Sequence, residues 1–138
     1  MRLPSITRLR WRRVVIIVAQ SGQGKCRDGR AGATKEKLVR DRVPQIIRAQ
    51  GDEPIVRIAD PGEYREFLRA KLIEEAHEVV TADDAHVPEE LADVLEVVLA
   101  LAADLGLDAD GLERLRAAKA AERGSFTKRI VWCGNLGS

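Results

Sequence analysis

The sequence predicts an all-α fold. Its core is an antiparallel helical hairpin with a third helix, completed as a bundle by oligomerisation, plus a short two-stranded element. Three observations lead there. Tyr64, Phe67, Leu68, Leu72, Ile73, Ala76, Val79 and Val80 recur at helical spacing. A second run, Leu91 to Leu105, is apolar nearly all round, more than two flanking helices cover easily. Asp60 with Pro61, Pro88, and Asp108 sit where helices begin, and Gly51, Gly106 and Gly124 sit where they end.

Taken in order, residues 1–34 come first, and they carry eight Lys/Arg against Asp28 alone, although the whole chain of 138 residues has a net charge of only +1. This segment reads as a basic extension to a domain at 35–138, either dispensable or the product of an upstream start codon. It holds SGQGKC after the apolar run VVIIVA, which imitates a phosphate-binding P-loop. Ala19 stands at the first glycine position, Cys26 replaces the magnesium-binding Ser/Thr, and no helical pattern follows. The stretch Val14 to Ala19 is also too short for a signal-peptide core or a membrane span. RLRWRR is one short basic cluster with a single tryptophan, which argues against nucleic acid as a partner. Two cysteines, Cys26 and Cys133, support neither a disulfide framework nor a zinc site. A cytoplasmic protein with no membrane partner is expected.

Beyond the extension, Pro44 to Gln50 reads as a short helix ended by Gly51. EPIVRIA (53–59) alternates as a short strand does. The first long helix starts at Asp60 and Pro61 and runs to about residue 80. TADDAHV is a loop, the apolar helix starts at Pro88, and Asp108 caps a further helix that runs to Arg123. FTKRIVW (126–132) reads as a second strand, to pair with EPIVRIA.

The carboxylates demand a reason. Glu75 and Glu78 are three apart on the first long helix, as are Glu90 and Asp93 on the apolar one, so each pair shares a helix face. The short loop makes the two helices antiparallel neighbours, and the pairs then face each other. Two carboxylates ~5 Å apart at an effective dielectric of ~20 repel by about 3 kcal/mol. Asp93 lies in an apolar stretch, where an unpaired charge is costly. A hard cation, Mg²⁺ or alternatively Mn²⁺, offsets this and suits all-oxygen ligands. Glu74 and Glu89 read as helix-surface charges, and Glu96, one turn beyond Asp93, reads either as a support for the metal ligands or as a member of an ordinary ion pair. Glu74 and His77 spell the E-x-x-H of di-iron bundles, but that site needs a second copy and the only other histidine, His86, is in the loop.

Four segments then occur in order: K-L-V-R-D-R-V-P (37–44), L-I-E-E-A-H-E-V (72–79), E-E-L-A-D-V-L-E (89–96) and K-A-A-E-R-G-S-F (119–126). Together they resemble the MazG-like all-α nucleoside triphosphate pyrophosphohydrolases, and most of all their small phosphoribosyl-ATP pyrophosphohydrolase-like branch. The resemblance covers about residues 36–133; Ser125 stands where a second glycine is common, and residues 1–34 have no counterpart. It implies that Glu75, Glu78, Glu90 and Asp93 bind Mg²⁺ and that the protein is a homodimer or dimer of dimers. It also implies hydrolysis of a nucleoside triphosphate, or a related nucleotide such as phosphoribosyl-ATP, to a monophosphate and pyrophosphate, as in nucleotide-pool house-cleaning. Lys71, Lys119, Arg123, Lys37 and Arg40, with Arg42 beside them, are the candidate phosphate contacts. Two other readings stay open: a non-catalytic helical dimerisation module, and a nucleic-acid-associated protein that uses the basic head.

Overall fold

A computed structural model describes residues 36–137 and shows four helices there: α1 (Val43–Ala49), α2 (Pro61–Thr81), α3 (Val87–Asp104) and α4 (Ala109–Arg123). The basic extension and its P-loop-like stretch lie outside the described residues. The chain divides into two compact units between Val98 and Leu99, within α3.

In the first unit, α2 begins with a reciprocal cap. The Asp60 side chain accepts from the Glu63 backbone N–H at 2.9 Å, and the Glu63 side chain accepts from the Asp60 N–H at 3.1 Å. Pro61 supplies a preset φ in the first turn. After Thr81 the chain turns on Asp83, whose carboxylate accepts from the backbone N–H groups of Ala85 and His86, both at 3.2 Å. This short turn delivers α3 back alongside α2. Few side chains are closed off from solvent: among the described residues of this unit the buried apolar ones are Leu68 and Val97, joined by a buried Glu75.

The second unit contains the end of α3 and all of α4. Gly106, at φ 80°, ends α3. The Gly106 N–H donates to the Ala103 carbonyl at 3.0 Å and the Leu107 N–H to the Ala102 carbonyl at 2.8 Å, the paired bonds of a Schellman stop. Asp108 caps α4 through the Gly111 N–H at 2.7 Å. A Cβ at Gly111 would lie 2.7 Å from Leu107 Cδ1 and 2.9 Å from the capping Asp108 Oδ1, so a larger residue there would push both side-chain ends aside.

One expectation needs correction. No strand exists among the described residues, so the two-stranded element is absent. In 53–59 the large apolar side chains Ile55, Val56 and Ile58 are exposed, while Pro54, Arg57 and Ala59 are partly buried. Arg57 is held by Glu36 and Glu63 (2.8–3.3 Å), which fixes the segment through side chains without a backbone ladder. In 126–132 a turn closed by the Arg129 N–H on the Phe126 carbonyl, with Arg129 at φ 55°, takes up the first half. Ile130, Val131 and Trp132 beyond it stand exposed. In the apolar run Val97 and Ala102 are buried, while Leu91, Leu95 and Leu105 are more than half exposed in the single chain.

Candidate metal centre

Helical spacing places Glu74 and Glu75 one turn after Lys71, and the Lys71 ammonium lies 3.3 Å from Glu74 and 2.6 Å from Glu75. On α3, Glu90 and Asp93 are likewise one turn apart. Because the Ala82–His86 connection reverses the chain, the two acidic faces meet. Glu75, Glu90 and Asp93 each offer a carboxylate oxygen within 4.8 Å of the other two. Glu78, expected as a fourth member, is not in this set of three, but its charge still reaches Glu90.

The electrostatics separate these acids. The Glu90 carboxyl is pushed above the usual carboxylate range, first by burial and then by the negative charges of Asp93, Glu78 and Glu75. Burial works against the Lys71 charge, yet its hydrogen bond to Glu75 and the charges of Glu75 and Glu74 outweigh that and raise its pKa. Asp93 is paired with Arg40, whose guanidinium donates at 2.5 Å from a position 53 residues earlier in the chain. Among the described residues Glu90 alone of the three has no ion-pair partner.

The donor set fits a small hard cation. Its atoms are all carboxylate oxygens, which suit Mg²⁺ or Mn²⁺. Oxygens bound at ~2.1 Å in an octahedral shell stand ~3 Å apart when adjacent and ~4 Å when opposite. The three oxygens, within 4.8 Å, are already near that scale.

The candidate phosphate contacts divide. Lys37 lies 3.5 Å from Glu74, and Arg40 and Lys71 lie on Asp93 and Glu75, so all three are at the acidic face. Lys119 and Arg123 belong to the second unit, are exposed, and Arg123 stands 3.8 Å from Glu122. Arg42, Glu89 and Glu96 are exposed. His77 is exposed, and His86 is tied to Asp83 at 2.7 Å. That pairing raises the His86 pKa and lowers that of Asp83. The link from Lys71 to Glu75 was legible as an i, i+4 pair. Arg40 on Asp93 was not, and neither was the Arg57 knot, because both join distant segments. A shallow depression lined by Pro61, Gly62, Arg65, Glu66 and Arg69 lies at the start of α2, outside the acidic set.

Comparison with known proteins narrows little. A protein of Mycolicibacterium smegmatis (strain ATCC 700084 / mc(2)155), described as uncharacterized, is 49% identical over 47 residues, which is 34% of this chain. The match spans 48% of that protein, about half its length. No family model matches the chain, and no solved structure matches it. Among the described residues no helix is long and apolar enough to cross a membrane.

Proposed function

We propose that this chain is a Mg²⁺-dependent nucleotide pyrophosphohydrolase of the MazG-like kind. In this reading it hydrolyses a nucleoside triphosphate, or a nucleotide such as phosphoribosyl-ATP, to a monophosphate and pyrophosphate. The observation that carries it is the convergence of Glu75, Glu90 and Asp93 from two helices onto one small volume. The four sequence segments that resemble the family lend it their order and spacing.

Glu75, Glu90 and Asp93 are the residues that would hold the metal. When bound, Mg²⁺ supplies neutralisation of the polyphosphate charge and a lowered pKa for water. Glu78, next to the three-oxygen set, is assigned to orient the attacking water and take its proton. The water oxygen bonds to a phosphorus of the α–β anhydride, the bond from that phosphorus to the bridging oxygen breaks, and pyrophosphate departs. Lys37, Arg40 and Lys71 are the cations within the same unit that meet phosphate oxygens. The chain works as a homodimer or dimer of dimers: Ile73 and Val80 on α2, and Leu91 and Leu95 on α3, are exposed apolar residues that a second copy would cover. The same residues favour a second reading, a helical dimerisation module without catalysis, which has no use for converging acids.

A panel of nucleotides incubated with the purified protein and Mg²⁺, with pyrophosphate and orthophosphate measured separately, tests the activity. Pyrophosphate and a monophosphate are expected from at least one nucleotide. Orthophosphate as the only phosphate product overturns the assignment, and a protein that neither binds divalent metal nor hydrolyses any nucleotide returns the dimerisation module.

A further inference from the structure

We infer that Arg40 guards the acidic centre: it holds Asp93 in the metal-free protein, yields Asp93 to an incoming divalent ion, and then serves the anion that accompanies the ion. The inference rests on the metal-site reading above and adds a regulatory link between metal and phosphate binding. The guanidinium on Asp93 Oδ1 neutralises that carboxylate and repels a divalent ion approaching the same three acids, so the two cations oppose each other.

Three features make Arg40 suited to leave. It lies ahead of α1, outside any helix, and only its side chain needs to move, since its carbonyl accepts from the Val43 N–H at 3.0 Å. The side chains of Arg40 and Asp93 are 57% and 42% exposed, so water reaches both partners and exchange costs little. The segment is anchored elsewhere, since Glu36 is held by Arg57 at 2.8 Å; a released guanidinium therefore remains near the acids. A planar guanidinium also matches two phosphate oxygens as well as it matches a carboxylate. Lys71, by contrast, is half-buried between Glu74 and Glu75 on its own helix and has no comparable freedom.

The consequence is a split between two affinities. Removing Arg40 removes a competitor of the metal and a contact of the phosphate. The probes are Mn²⁺ alone and then pyrophosphate added to the Mn²⁺-loaded protein, both followed by calorimetry on the full chain. Arg40→Gln should bind Mn²⁺ about two- to fivefold more tightly, the range set by a half-exposed ion pair. It should bind pyrophosphate about tenfold more weakly, as expected for loss of a charge-assisted hydrogen bond. Arg40→Lys, which keeps the charge, should return Mn²⁺ affinity to within about twofold of the unmutated protein and recover part of the pyrophosphate affinity. If Arg40→Gln loses its helical circular dichroism, Arg40→Lys carries the test through its partial pyrophosphate loss. Mn²⁺ affinity unchanged or weakened in a folded Arg40→Gln overturns the guard role and leaves the metal site standing. An unmutated protein that binds no Mn²⁺ overturns the metal site and the guard together.

Discussion

Two clusters of acid and base in the first unit invite comparison. At the Arg57 knot, one guanidinium meets two carboxylates: Glu63 through two 3.0 Å bonds and Glu36 at 2.8 and 3.3 Å, with the Phe67 ring 5.9 Å from the same guanidinium. At the acidic centre, three carboxylates bring oxygens within 4.8 Å of one another, and one of them, Glu90, has no ion-pair partner among the described residues. The response of the protons is opposite. The hydrogen bond from Arg57, then that from the Asp60 backbone, holds Glu63 below the usual carboxylate range. Burial and like charge push Glu90 above it. In the knot both carboxylates reach the one guanidinium, and the shared cation ties segment 36–60 to the start of α2. In the cluster on two helices Glu90 has no ion pair among the described residues; a divalent ion would relieve its repulsion from Asp93 and Glu75, and that makes the cluster a candidate site.

The sharpest way to break this contrast is Asp93→Asn. Mg²⁺-dependent hydrolysis should fall at least a hundredfold, about 2.7 kcal/mol of lost stabilisation. In excess Mg²⁺ the unmutated protein should gain about 2.7 kcal/mol of stability at a hundredfold excess over the dissociation constant, and the variant much less. In EDTA the variant should remain within about 1 kcal/mol of the unmutated protein, because loss of the exposed Arg40 pair and relief of repulsion oppose each other. Thermal melts in both conditions decide it; a large loss in EDTA with an unchanged metal response would make Asp93 a structural group.

Arg57→Met should show the reverse behaviour. It removes the shared partner of Glu36 and Glu63, so the melting temperature should drop by the same amount in EDTA and in Mg²⁺. A drop that Mg²⁺ repairs would mean that the knot and the acidic centre are one system.

The smallest expected effect is a slope against pH. The folded pKa of Glu90 is raised, so between the unfolded value, ~4.3, and the folded one the native state holds more protons. Stability from this group is present below that window and lost as pH rises through it. Glu63 has a lowered folded pKa, so its contribution is present above ~4.3 and lost as pH falls through the folded value. In metal-free melts, Glu90→Gln should remove the loss on the alkaline side of the window and Glu63→Gln the loss on the acidic side. Parallel curves for the two variants would contradict the opposed environments.

The sequence by itself determined what depends on neighbours within about one helical turn. Asp60 with Glu63, Asp108 with Gly111, and Gly106 and Gly124 mark helix ends through bonds to residues three to five positions away. The same range made the Glu75–Glu78 and Glu90–Asp93 pairings readable. Even the facing of the two acidic pairs followed from a short turn. Tertiary structure decided the rest. It brought Glu75, Glu90 and Asp93 together without Glu78 among them, set Arg40 on Asp93 across 53 residues, and spent the alternation of EPIVRIA on an arginine knot that reaches Glu36 across 21. The reason is physical: local pattern fixes which face of a helix a side chain occupies. The position of a charge among charges from distant segments is set by packing, and no spacing along the chain encodes it.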